Sequence, residues 1–384
     1  MRKAVVRRHI DYNSGTIRML ERRAHERTPH DFTTVHPQPR FIHELLPSMC
    51  YSGTNYATNY VTRFCHTSTN KDRCPINCCV FAPEGRRVIT GAASGEFTLW
   101  NGYAFNFETI LQAHDTAVRA LSWAHHGRWM LSSDMSGVVK YWQSNMNMCK
   151  EVRAHDDAIR GLTFAPSDAK FATASDDKTV RLFDFARGQC ETTLEGHLWD
   201  AKTVDWHPFA ALLCSGSKDN QCKLWDPRGG KCVRTLHGHK NTVVKVEWNK
   251  NGNWLLSCSR DQLVRCYDIR MMRELQLFSG HRKEVTAIAW HPFSECLFVS
   301  GGFDGAILAW RVGELSPVAE ITDAHDSGIW GLAWHQMGHI LCSASNDHTT
   351  KFWCRNRPGD PLDDKYNHFG KLNRAGGRYA GLVD

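Results

Sequence analysis

The chain has 384 residues, 42% of them hydrophobic, enough to bury a large core, and 47 Lys and Arg against 40 Asp and Glu leave a formal charge of +7. It holds no run of 18 apolar residues, and Met1-Arg-Lys-Ala-Val-Val-Arg-Arg at its start is charged and has no apolar h-region, so the expectation is an intracellular protein without a membrane span or signal peptide. Fifteen cysteines, an odd number scattered through apolar runs (Cys190, Cys214, Cys222, Cys258, Cys266, Cys342), read as reduced thiols serving as small apolar fillers rather than a disulfide framework.

Charge is concentrated at the start. Residues 1–40 hold nine Lys and Arg against four acids, a net +5. Arg2, Lys3, Arg7 and Arg8 have no apolar stripe and form a basic arm suited to neutralising phosphates by counterion release; a solvated tail is the equal alternative. After Asn13 and Ser14 as a cap, residues 15–24 are predicted as a short helix, with Ile17, Leu20 and Ala24 on one face and arginines on the others. Residues 59–66 (Asn-Tyr-Val-Thr-Arg-Phe-Cys-His) then have strand character.

From position ~68 to ~355 one unit of about 42 residues recurs seven times. Each copy closes on an aromatic: Trp100, Trp142, Phe183, Trp225, Tyr267, Trp310 and Trp353. Ahead of each, from the second copy on, stands a histidine: His114, His155, His197, His239, His281 and His325, with Asp72 in the first copy. Short runs such as Cys222-Lys-Leu-Trp225 alternate in polarity and are punctuated by Pro, Gly and Asp, as the strands of a four-stranded blade would be. The upstream strand at 59–66 supplies the outer strand of the last blade and closes the ring.

This pattern resembles the WD-repeat family, in which His, Ser or Thr, Asp and Trp of one blade form a hydrogen-bonded chain. Buried polar groups require such partners. Full sets occur in the fourth (His197, Ser215, Asp219, Trp225), sixth (His281, Ser300, Asp304, Trp310) and seventh repeats (His325, Ser343, Asp347, Trp353). The third and fifth lack the indole N–H, ending in Phe183 and Tyr267, and the first two carry Ser94 and Ser136 at the aspartate position. Those first two blades are expected to be held less by the network. The fold expected is all-β, a seven-bladed propeller over residues 59–356, preceded by the arm and docking helix (1–58) and followed by a flexible tail (357–384).

A second departure lies in the outer strand of the first blade. Where other copies read Met148, Cys190, Cys232, Glu274 and Val318, it has Phe107, and two residues earlier Phe105. On an edge strand these two rings would lie on one face, as platforms for stacking an RNA base unless the N-terminal helix covers them. His207, His291 and His335 recur in a Trp-His turn, so repetition argues for architecture. No phosphate loop, nucleophile elbow or two-histidine metal helix appears, so neither catalysis nor a cofactor is expected. Cys74, Cys78 and Cys79 with His66 match no common zinc spacing.

Several runs resemble, more closely, the WD-repeat subunit of the cleavage and polyadenylation specificity factor. They are Ser94-Gly-Glu-Phe-Thr-Leu-Trp-Asn-Gly102, Phe105-Asn-Phe-Glu-Thr-Ile-Leu-Gln-Ala-His114, and Ser345-Asn-Asp-His-Thr-Thr-Lys-Phe-Trp-Cys-Arg-Asn-Arg-Pro-Gly359, together with Arg2-Lys-Ala-Val and Ile10-Asp-Tyr-Asn13 near the start. The resemblance implies a nuclear, noncatalytic RNA-binding and scaffold subunit that helps read the AAUAAA-type signal of pre-mRNA. Its partners would be a zinc-finger subunit and a large multi-propeller scaffold subunit, docked through the N-terminal helix and the segment to Pro47. Carried over, the arm residues Arg2, Lys3 and Arg7, the stacking ring Phe107, and Ile110, Thr69 and Lys71 would contact RNA. A rival reading, a substrate receptor of a cullin-type ubiquitin ligase, rests on Trp225-Asp-Pro-Arg228 and Tyr267-Asp-Ile-Arg270; a generic interaction scaffold is a third.

Overall fold

The computed structural model describes residues 60–354 apart from Tyr103, Phe293 and Met337. The basic arm, the helix expected over 15–24, the docking segment and the tail lie outside the described residues.

Among the described residues, twenty-eight strands form seven four-stranded antiparallel sheets arranged as blades. The first blade is β2 (Ile76–Phe81), β3 (Arg87–Ala92), β4 (Glu96–Asn101) and β5 (Phe107–Gln112), ordered from inside out. The next five repeat this order, their innermost strands being β6 (Val118–Trp123), β10 (Ile159–Phe164), β14 (Ala201–Trp206), β18 (Val243–Trp248) and β22 (Val285–Trp290). The last blade is built from β26 (Ile329–Trp334), β27 (Ile340–Ser345) and β28 (Thr349–Cys354), with β1 (Arg63–Thr69) as its outer strand. β1 pairs with β28 from Arg63 opposite Cys354 to Thr69 opposite Thr349, so a segment preceding the first repeat closes the ring. A closed ring leaves no long exposed edge, which is why the repeat is stable as a set of seven.

The core lies between blades rather than within one. Each sheet is apolar on both faces, and each face packs on the neighbouring blade: Leu256, Cys258 and Val264 of the fifth meet Val285, Ile288 and Phe298 of the sixth. Each innermost strand also shifts register immediately after its first residue, so that one residue per blade is extra in the ladder.

Polar bolts complete the frame. In the fourth blade, Trp225 Nε1–H donates to Ser215 Oγ (2.7 Å), Ser215 is 2.6 Å from His197 Nε2, and His197 Nδ1 is 2.8 Å from Asp219. The Asp219 carboxylate also accepts the amides of Leu198 (3.3 Å) and Gln221 (3.0 Å), so the network pins two turns. The seventh blade repeats it through Trp353, Ser343, His325 and Asp347. In the sixth, Trp310 and His281 meet on Ser300 (2.8 and 2.7 Å), while Asp304 stands farther off, 3.4 Å from His281 Nδ1. In the third, Phe183 replaces the indole and stacks on Phe171 with rings 5.1 Å apart.

The second blade corrects the sequence expectation. Its acid is Asp134, two residues ahead of Ser136, and it reaches His114 Nδ1 at 3.2 Å while Ser132 links His114 to Trp142. Ser136 then donates to Asp134, so the serine supports an aspartate instead of replacing it. Burial pushes the Asp134 carboxyl up, but the hydrogen bonds from His114, Val138 and Ser136 outweigh it and hold it down at about 2. Only the first blade lacks the chain: Asp72 is exposed, and Trp100 bonds Thr90 (3.1 Å) with no histidine beyond.

The Trp-His turns join neighbours. His207 Nδ1 accepts the amides of Phe209 and Ala210, which leaves Nε2–H to donate to the Gly252 carbonyl of the next blade at 2.8 Å; His291 does the same toward Gly338 at 3.2 Å. Among the cysteines, Cys214, Cys222, Cys258, Cys266 and Cys342 are buried fillers, but Cys190 is exposed on an outer strand, contrary to expectation. Cys78 and Cys79 turn to different neighbours, toward Gly91 and Cys342 respectively, as adjacent strand residues must.

Candidate nucleic-acid interface

The two phenylalanines of the first blade part company. Phe105 is fully buried, with its ring 4.3 Å from Phe352 and stacked on it, and it also faces His66 of β1. Phe107 is 55% exposed. The expectation that both lie on one face fails because Phe105 is not in the strand: its φ of 56° turns the chain before β5 begins. The corresponding residues Met146, Gly188, Gly230 and Met272 are left-handed too. The glycines in that column were the available signal, since glycine recurring at one position of a repeat marks a positive φ.

Phe107 opens β5 opposite Trp100, and the register shifts between Leu99 and Trp100 so that Glu108 is the extra residue. This bulge has a consequence for the site. Phe107 and Ile110 are three apart and would otherwise point to opposite faces; with the extra residue between them, both lie on the face of their partners Trp100 and Thr98. Trp100 meets Phe107 edge-on at 6.0 Å, holding the ring upright while leaving it open to solvent. Glu108 is engaged elsewhere, by Arg87 (2.9 Å) and Asn101 (3.1 Å), so no acid from this strand faces the ring.

That face looks onto the seam with the last blade. Trp100 and Phe105 share a cluster with Ile340, Cys342 and Phe352, and Ser68 of β1 donates to the Phe105 carbonyl at 3.2 Å. The end of β1, with exposed Thr69, and the following loop, with exposed Lys71 and Arg73, are thereby brought beside the start of β5. By strand alternation Thr69 projects from the face opposite Ser68, so it borders the platform rather than lining it. Arg2, Lys3 and Arg7 lie outside the described residues. The described arrangement offers an upright aromatic face, an aliphatic neighbour and two exposed cations at one seam, which suits a planar, anionic ligand.

The Trp-Asp-x-Arg endings lie at the close of two other blades. Arg270 is folded back onto its own Asp268 at 2.8 Å, and the Arg228 amide donates to Asp226 at 2.9 Å.

The model of the WD domain, G-beta repeat, matches seven times, over residues 61–101, 105–143, 146–184, 188–226, 230–268, 272–311 and 316–354. A relative from Neurospora crassa called polyadenylation factor subunit 2 is 43% identical over 97% of this chain. The chain belongs to the polyadenylation factor subunit 2 family of WD-repeat proteins. Family members from Cryptococcus neoformans and Candida albicans, of the same name, are 47% and 36% identical over 95% and 86% of the chain. The chain spans 63%, 52% and 68% of the lengths of these three family members.

Proposed function

We propose that this chain is a noncatalytic RNA-binding and scaffold subunit of the nuclear pre-mRNA cleavage and polyadenylation machinery, and that it helps recognise the AAUAAA-type signal. The observation that carries the reading is the bulge in β5, which sets Phe107 and Ile110 on one open face at the seam beside Lys71. The relatives' printed name supports the polyadenylation context. In this reading a base stacks on Phe107 against Ile110, Lys71 and Thr69 meet the adjoining backbone, and Arg2, Lys3 and Arg7 neutralise further phosphates. A zinc-finger subunit and a multi-propeller scaffold subunit supply the remaining contacts, because one base platform is worth only ~1–3 kcal/mol.

Fluorescence anisotropy of a short RNA containing AAUAAA, against a scrambled control, tests this with the chain alone and with both partner subunits. The assembled complex is expected to prefer AAUAAA, and Phe107→Ala to lose ~1 kcal/mol or more of that preference. An assembled complex without preference, or a variant that keeps it, would make this subunit a scaffold only.

A further inference from the structure

The register shift in each innermost strand has a collective effect. A bulge turns its extra side chain out of the ladder's alternation. Here the extra residues of all seven blades line one axial channel of about 650 Å³, near the end where the chain enters each innermost strand. Arg119, Arg160 and Lys202 occupy three consecutive blades, β6, β10 and β14. Val244, Thr286 and Trp330 occupy β18, β22 and β26, and Asn77 of β2 closes the ring. The mouth is therefore basic on one arc; on the other Val244 and Trp330 are apolar, and Arg260, which also lines it, is paired with Glu284 at 3.5 Å.

Most of the polar members are already engaged. Asn77 donates to the Val118 carbonyl (2.8 Å), and the Thr286 hydroxyl is bonded to the Gly301 and Ile329 carbonyls. Arg160 and Lys202 share Asp176, at 2.9 and 2.7 Å, and Lys202 also holds Asp200 at 2.9 Å. Arg119 differs: its guanidinium meets only the Met135 sulfur at 3.5 Å, and its Nε–H is buried with no partner among the described residues. A buried donor left unmade is costly, and a cation without an acid more so. Burial and the neighbouring Arg160 charge pull the Arg119 pKa down and outweigh the opposing pull of Asp176, which is already committed to Arg160 and Lys202. On the apolar arc, Trp330 meets Phe303 edge-on at 6.4 Å, and Phe303 is 38% exposed beneath Lys283.

We propose that this channel mouth docks an extended acidic peptide of a partner protein, with one Asp or Glu carboxylate seated on Arg119 and an apolar side chain against Trp330 and Phe303. Charge complementarity selects the peptide over nucleic acid. A run of phosphates would meet Asp176 and Asp200 beside the cations, whereas a single carboxylate meets Arg119, the one of the three cations that makes no ion pair among the described residues.

The test uses the full chain and three fluorescent probes: the hexapeptide Glu-Glu-Phe-Glu-Glu-Leu, its counterpart Lys-Lys-Phe-Lys-Lys-Leu, and a ten-nucleotide oligouridylate. The acidic peptide is expected to bind, to bind at least tenfold more weakly to Arg119→Ser, and to bind normally to Phe107→Ala and to the surface control Arg273→Ser. Retained binding by Phe107→Ala separates this site from the RNA platform. On the unmutated chain, the same peptide should slow phenylglyoxal modification of Arg119, read by mass spectrometry, which frees the result from any folding defect of a variant. The proposal is overturned if the acidic peptide fails to bind, if Arg273→Ser weakens it equally, if Arg119 stays unprotected, or if Arg119→Ser abolishes oligouridylate binding instead.

Discussion

The first and fourth blades solve one problem in two ways. Both must hold the turn that enters the innermost strand. The fourth does so with polar atoms, Trp225 to Ser215 to His197 to Asp219. The first has no histidine there, and Thr90 ends the chain that begins at Trp100. What replaces the clamp is apolar: Phe105 turns back through a left-handed residue and wedges between the first and last blades, against Phe352. The comparison teaches that release from the clamp frees the residue at the histidine position itself, because Leu198 and Trp199 show that a clamped blade also exposes the rest of its entry loop. In the fourth blade the clamp draws His197 into the interior, whereas Asp72, at the same position of the first, stands in solvent with Lys71 and with Thr69 at the end of β1, available to a ligand.

The largest expected effect breaks the wedge. Phe105→Ala should cost ~3–5 kcal/mol, as for other large-to-small changes at fully buried rings, while Phe107→Ala, already half in water, should cost under ~1 kcal/mol. Paired thermal melts check this, and equal losses would mean that Phe107 is packing rather than platform.

Acid should then separate the first blade from the rest. The carboxyls of Asp177 and Asp134 are held near 2 against roughly 4 in an unfolded chain, because hydrogen bonds from His155 and His114 and nearby groups outweigh burial. A depressed folded pKa means stability that is full above pH ~4 and is lost as pH falls through ~2. Asp219, Asp261, Asp304 and Asp347 are lowered in the same direction. Burial also lowers the pKa of His325, which adds stability present above pH ~6.5 and shed as pH falls below it. Hydrogen exchange read peptide by peptide should show blades two to seven opening between pH 4 and 2, with Phe105→Ala opening the first blade at neutral pH instead. A uniform response across all seven would erase the distinction.

The smallest effect sharpens the clamp itself. Tyr267→Trp in the fifth blade would supply the indole N–H that Ser257 lacks, in a network where His239 and Asp261 are already set at 2.7 and 2.9 Å. A gain of up to ~1 kcal/mol in a denaturant titration is expected, the usual net value of one hydrogen bond.

Much of this was readable from the chain. Seven closing aromatics and six histidines at a constant interval specify blades, because a repeat that cannot bury both faces alone must stack, and the strand ahead of the first repeat had to close the ring. Phe107 could be singled out because an aromatic on an outer strand departs from the other copies. Local sequence could not separate Phe105 from Phe107, since strand alternation treats residues two apart alike and only the backbone turn at Phe105 divides them. It could not join Ile110 to Phe107 either, because a bulge is a property of the pairing between β4 and β5.

The same boundary runs through the rest of the molecule. Asp134 entered the network from two positions away because a carboxylate is placed by where the strand delivers it, not by column. The ring of bulged residues exists only once seven strands surround one axis, and only there does Arg119 prove to be the cation of its arc with a buried, unpartnered Nε–H. Periodicity determined the architecture, because burial on both faces of each sheet depends on a pattern repeated along the chain. Tertiary structure decided which groups are left without partners, because satisfaction of a polar atom depends on neighbours that arrive from other blades.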